Sequence, residues 1–222
     1  MATCLIVRGV ATALAILAAS GASAAPATAS PVLRTSRGCY MVGQSVRFTG
    51  SGFAPMRRYD VTVDGVDFGQ ASVGSTGRLA AHVVPGGLPA GVPQSVEQLE
   101  VSDGSAQAST SFTLTRAAGA RFLASRGTPS TLSAPFQVWG FSPSGSSLRV
   151  FVHYVSPSGS SERTVGLGRT GGQCGYLQTA RMRVFPFTPS TGTWTLQVDS
   201  HSGYSRHPSG PVARIYVTIS HG

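Results

Sequence analysis

Val46-Arg47-Phe48-Thr49-Gly50, Tyr59-Asp60-Val61-Thr62-Val63 and Leu79-Ala80-Ala81-His82-Val83 alternate apolar and polar residues with a period of two. A strand sends successive side chains to opposite faces, so each run has one face for a core and one for water. A helix would instead repeat its apolar residues three and four apart. Asp64-Gly65 follows the second run and predicts a tight hairpin, because both central residues of such a turn need positive φ. Working outward, Val96 to Val101 and Ala108 to Thr115 read as strands around an Asp103-Gly104 turn, and a first strand is expected near Val32 to Ser36. That makes about seven short strands by Thr115, enough for one sandwich. Composition agrees: charged residues are 11% of the chain, with 28 Gly and 14 Pro, which suits short strands and tight turns, and the 41% of hydrophobic residues suffices for a packed core.

The second half repeats the first. Gly52, Phe53 and Pro55 correspond to Gly140, Phe141 and Pro143, Val61 to Val150, and Leu99 and Val101 to Leu196 and Val198; Arg37-Gly38 corresponds to Arg126-Gly127. A longer hairpin around Pro157-Ser158-Gly159-Ser160 accounts for the growing offset. The expected organisation is all-β: residues 25–116 and 117–222 form two tandem immunoglobulin-like antiparallel β-sandwich modules, joined by small residues between Arg116 and Ala120.

The run from Gly43 to Pro55, followed by Tyr59 to Val63, resembles the opening of immunoglobulin-like repeats in secreted actinobacterial proteins and, more distantly, the neocarzinostatin-type sandwich. The resemblance implies a fold and not a function. The paired disulfides typical of the neocarzinostatin type are missing, and so is the Cys, Trp, Cys spacing of antibody domains.

At the N-terminus, Arg8 precedes an apolar run from Val10 to Ala19, and Ala22-Ser23-Ala24 then offers small side chains to a signal peptidase. Residues 1–24 are therefore expected to be an export signal cleaved before Ala25. The run is shorter than the roughly 20 residues of a spanning helix, so no membrane span is expected in the mature chain. Loss of Arg8 leaves sixteen arginines against eight acids, a net charge of +8. The arginines are scattered without an aromatic-interleaved stripe, which argues against nucleic acid; the partner stays open, with an anionic cell-envelope polymer or another protein as the classes that the charge allows.

No sequence motif specifies catalysis or a cofactor. Gly166, Gly168 and Gly171 satisfy a dinucleotide-binding pattern in letters but precede Gln173-Cys174-Gly175 and no helix. The serines of Ser144 to Ser147 read as a turn. Asp199, His201 and His207 form the densest set of metal-ligating types, in the loop before the last strand, and are weak zinc candidates because nothing in their spacing gathers them. Asp60, Asp64 and Asp67 raise the same question for calcium. Trp194, Leu196 and Val198 share a face, which predicts a core tryptophan, while Trp139 is expected to face outward or toward the neighbouring module.

Cys39 and Cys174 are expected at the junction of the modules. Strand one carries the chain away from the N-terminal end, so the loop after it, with Cys39, lies where the seventh strand hands over to the second module. The loop near Gly171 to Gly175 returns to that junction. An intramolecular disulfide, two free thiols and an intermolecular bridge all remain open at this level. The functional expectation is a secreted, non-enzymatic binding or structural protein of the envelope or extracellular space. The alternative is a small-molecule carrier, or a hydrolase or metal-dependent enzyme, using a pocket in the second module.

Overall fold

The computed structural model describes residues 30–123 and 128–220, and the expected leader (1–24) and the Arg126-Gly127 pair lie outside them. The described residues are all-β and sandwich-like. In chain order the strands are β1 (Val32–Thr35), β2 (Cys39–Met41), β3 (Val46–Ser51), β4 (Arg58–Val63), β5 (Val66–Ser72), β6 (Leu79–Val83), β7 (Gln94–Ser102), β8 (Gln107–Thr115) and β9 (Gly119–Phe122). They continue with β10 (Ser133–Ala134), β11 (Phe136–Trp139), β12 (Arg149–Val155), β13 (Ser161–Arg169), β14 (Leu177–Gln178), β15 (Met182–Arg183), β16 (Gly192–Asp199) and β17 (Ala213–Ile219). Among the described residues no helix is long and apolar enough to cross a membrane.

In the first half, a three-stranded sheet β1-β3-β6 faces a five-stranded sheet β2-β8-β7-β4-β5. The alternation read from sequence sets the facing: Val46 and Phe48 of β3, Tyr59, Val61 and Val63 of β4, and Leu79 and Val83 of β6 are buried in one hydrophobic cluster with Leu99, Val101, Phe112 and Leu114. The hairpin at Asp64-Gly65 is present with φ of 46° and 77°, and β4 pairs β5 across it, Val63 opposite Val66. Of the non-glycine residues that can hold a left-handed conformation, Asp is among the least strained.

One expectation needs correction. Cys39 does not sit in a loop after the first strand but begins β2, which runs parallel to β8 with Cys39 opposite Thr113. Tyr40 drives this: its ring is buried edge-on against Phe112 at 5.6 Å, and burying it carries the chain from one sheet to the other after β1. A three-residue strand with two successive buried residues shows no alternation to be read from sequence.

In the second half, a four-stranded sheet β13-β12-β16-β17 is accompanied by a three-stranded sheet β14-β11-β9 and a two-stranded pair β10-β15. Its cluster buries Phe136, Val138, Phe141, Val150, Val152, Tyr154, Leu196 and Val198. Trp194 is in that core, 3% exposed, between Phe185 and Phe187, with its indole N–H donated to the Ser190 carbonyl at 2.8 Å. Trp139 instead packs on the connection between the halves. Its N–H donates to the Ala117 carbonyl at 3.1 Å, and its ring occupies the space a Cβ on Gly119 would take.

The halves meet at a disulfide between Cys39 and Cys174, 135 residues apart in sequence. Both cysteines are buried, and the Gln173 side chain fills the space beside Gly38. Of the three cysteine states left open by the sequence, the intramolecular bond is the one present.

Candidate functional site

Three features of the surface carry chemistry. The first is a polar rank across the outward face of the four-stranded sheet. Register places Thr164 of β13, His153 of β12, Gln197 of β16 and Arg214 of β17 side by side. The same strands turn Val152, Tyr154, Leu196 and Val198 inward, so strict alternation puts these polar side chains outside. The middle of the rank is nevertheless buried, His153 being 0% exposed, Gln197 1% and the neighbouring Asp199 0%, while Thr164 and Arg214 at its ends stay exposed. The cover is the connection between β16 and β17, which folds back over its own sheet.

His153, Gln197 and Asp199 are bonded to one another, to Thr164 and to that fold-back. Thr164 Oγ1 lies 2.8 Å from His153 Nδ1, and His153 Nε2 lies 3.2 Å from Asp199 Oδ1. A carboxylate only accepts, so in the neutral ring Nε2 carries the proton and Nδ1 accepts from the threonine hydroxyl. Asp199 also accepts the His201 backbone N–H at 2.8 Å and the Gln197 amide at 2.9 Å. Gln197 donates to the Ser205 carbonyl at 2.8 Å, Arg214 donates to the Arg206 carbonyl at 3.1 Å, and the Tyr204 ring lies 5.8 Å from the His153 ring.

The chain hydroxyl, imidazole, carboxylate has the connectivity of a nucleophile relay. Its placement is that of a clamp: the imidazole is fully enclosed, both ring nitrogens are engaged, and the carboxylate is turned to the backbone of the covering loop. Of the weak zinc candidates, Asp199 and His201 approach to 3.6 Å, whereas His207 is exposed and engaged through its backbone N–H with Ser205. Among the described residues no group of three or more His, Cys, Asp or Glu is placed to hold a metal ion. His153 was missed in the sequence, although a histidine inside the run Val150 to Val155 is the signal that could have found it.

The remaining motifs are dispersed. Asp60 accepts from Gln70, Asp64 from the Gln98 N–H and Asp67 from the Gly69 N–H, so the three carboxylates serve separate turns and strands. Gly166 and Gly168 lie on β13, where a phosphate-binding pattern would need a helix to follow. Ser142, Ser144 and Ser146 bond one another in a turn. A second-half cavity of about 660 Å³ lies at the β12–β13 turn, lined by Glu162, Arg163, Phe187 and Trp194 and away from Asp199.

The second feature is the outward face of β1-β3-β6. It presents Arg34 on β1, Arg47 on β3, and Arg78 and His82 at either end of β6, all exposed. Thr49, Ser51 and Ala80 between them are small, leaving a shallow depression of about 600 Å³ framed by Arg34 and Arg78. No carboxylate occurs in these strands. Among the described residues none of the three guanidinium groups has an ion pair. The acids of the first half, Asp60, Asp64, Asp67, Glu97, Glu100 and Asp103, lie on the opposite sheet and its turns. Arg57 joins that side, pairing with Asp103 at 3.3 Å. The two sheets of one sandwich are thus oppositely charged, which the scattered arginines of the linear sequence conceal.

The third feature is a groove of about 670 Å³ at the end of the first half, between the β4–β5 hairpin and the connection from β6 to β7. Two carboxylates, Asp64 and Glu97, stand at its edge.

No protein-family model matches the chain, and no curated protein matches its sequence.

Proposed function

We propose that the chain is an exported, non-enzymatic binding protein of the cell envelope or extracellular space, built as two tandem immunoglobulin-like modules, and that it docks on an anionic envelope polymer through the outward face of β1-β3-β6. The observation that carries this reading is the segregation of charge. Arg34, Arg47 and Arg78 share a face without a carboxylate, while the acids of the same half lie on the opposite sheet and its turns. From strand spacings their Cα atoms are about 8 to 14 Å apart, within reach of successive anionic groups on one extended polymer. Guanidinium groups hold phosphate and carboxylate oxygens in bidentate fashion, and unpaired ones need break no internal bond to do so.

Export is supported by the N-terminal pattern of residues 1–24 and by the Cys39–Cys174 disulfide, a bond that persists in oxidising compartments. The tandem reading is supported by matched details: Gly52 and Gly140 both have positive φ, and Phe53 and Phe141 after them are both buried.

The test is retention of residues 25–222 on immobilised polyglycerol phosphate and on polyuronate, at low and high salt. Replacing Arg34, Arg47 and Arg78 by Ala is expected to weaken binding about tenfold or more, ~1.4 kcal/mol. Replacing Arg149, Arg169 and Arg183 in the second half should have little effect. Equal losses from the two triple variants would show diffuse attraction to net charge and overturn the assignment to this face.

A further inference from the structure

The groove between the β4–β5 hairpin and the connection Val84 to Pro93 departs from the rule that builds the rest of the first half. Residues 95, 97, 99 and 101 of β7 point to the inner side of the five-stranded sheet. Leu99 and Val101 are 0% exposed in the core, but Ser95 and Glu97 are polar. They sit where β6 has ended at Val83, so the opposite layer is no longer a strand but a loop. The inner face is uncovered there, and the groove opens over it, with the core residues Val63, Leu88 and Leu114 at its base and Phe68, Val66 and Val84 along its sides. Val66 and Val84 are 60% and 52% exposed.

The groove is held open by a dedicated contact. Arg116 donates to the carbonyls of Val92 at 3.0 Å, Leu88 at 2.7 Å and Pro89 at 2.9 Å, fixing the loop that forms one wall. Pro85, Gly86, Gly87 and Pro89 give that wall little side-chain bulk, and the two prolines fix its φ angles at their positions. A preformed, mostly apolar concavity of this volume is of the size that encloses a small organic molecule. Its charged equipment is of one sign: the Asp64 and Glu97 carboxyl groups both line it. Arg116 is engaged with three carbonyls and does not neutralise the pair. Burial, and then the neighbouring Asp64 carboxyl, hold the Glu97 carboxyl above the usual carboxylate range, as expected of an acid with no cation beside it.

We propose that this groove is a binding site for a small organic cation with an apolar body, its ammonium or comparable group between Asp64 and Glu97 and its hydrocarbon along Val66, Phe68 and Leu114. A cation there supplies the missing charge partner, and the apolar wall removes hydrocarbon from water. The inference stands apart from the basic face, which lies on the other sheet.

Calorimetric titration of residues 25–222 with decyltrimethylammonium, decyl sulfate and tetramethylammonium, all below micelle-forming concentration, tests it. The long-chain cation is expected to bind at least tenfold more tightly than either the anion of equal length or the short cation. Glu97→Gln with Asp64→Asn should weaken it at least tenfold; Asn tolerates the positive φ at position 64, so the hairpin is kept. The Arg34, Arg47 and Arg78 triple variant should bind it as the parent does, which separates failure of this site from failure of the basic face. Equal binding of cation and anion, or an unchanged affinity in the Glu97 and Asp64 variant, overturns the proposal.

Discussion

The outward faces of β1-β3-β6 and of β13-β12-β16-β17 are written in the same alternating code, yet the first is left open to water and the second is sealed over its centre, with Thr164, Arg214 and Tyr216 still exposed around it. On the first, Arg34, Arg47, Arg78 and His82 stand exposed over small neighbours. On the second, His153, Gln197 and Asp199 are enclosed by the connection from β16 to β17. An exposed guanidinium stays solvated and needs no partner, so the open face is free to carry net charge. An enclosed imidazole or carboxylate must be bonded or it costs about 1 to 3 kcal/mol or more, so the sealed face becomes a closed hydrogen-bond circuit and loses its freedom to bind. Polar residues at strand-outward positions thus serve recognition in one place and architecture in the other, and only the covering loop distinguishes them.

The largest expected effect tests whether the two halves behave as one body. Replacing Cys39 and Cys174 by Ser removes a closure spanning 135 residues, worth up to about 5 kcal/mol in the chain-entropy treatment. Denaturant unfolding followed separately by Trp194 fluorescence and by a label in the first half should show one transition in the oxidised chain and two in the variant. Two transitions in both would mean that the bond links the halves without coupling their stability.

Next come two substitutions on opposite sides of one strand. Trp194→Ala empties the inward side of β16 and should destabilise by about 3 to 5 kcal/mol. Asp199→Ala, on the outward side, strands His153 and Gln197 in an enclosed site and should cost a similar ~3 to 5 kcal/mol. Comparable losses in equilibrium unfolding would establish the sealed face as a second packed layer. A loss below about 1 kcal/mol for Asp199→Ala would mean that water reaches the rank as readily as it reaches the arginine face.

The smallest expected effect is on that open face. Arg34→Ala, Arg47→Ala and Arg78→Ala should each change stability by no more than about 0.5 kcal/mol, the ordinary range for exposed positions without partners. A loss well above this in thermal unfolding would reveal a structural role for the guanidinium groups and weaken their assignment to binding.

Strand alternation was legible without coordinates at Val46 to Gly50, Tyr59 to Val63 and Leu79 to Val83, because burial on one side imposes a period that no turn chemistry imitates, whereas the mostly exposed β13 carries no such period. The Asp64-Gly65 and Asp103-Gly104 turns were legible for a local reason, the backbone angles they require. β2 was not, since its pairing depends on where Tyr40 finds a pocket. The inward placement of Glu97 was equally hidden: its position on β7 is plain, but that the facing layer stops at Val83 depends on how the two sheets are stacked.

The sequence by itself determined the β class and the direction of Trp194, because these follow from side-chain period along the chain. Tertiary structure decided which polar residues face water. Arg34, Arg47 and Arg78 are gathered by strand pairing across 44 residues, a neighbourhood that no linear window contains. Asp199, with His153, was turned from a candidate ligand into a buried clamp by a loop whose path is fixed by the carbonyls of Ser205 and Arg206. Exposure is a property of what packs on top, and that is settled only when distant segments have found their places.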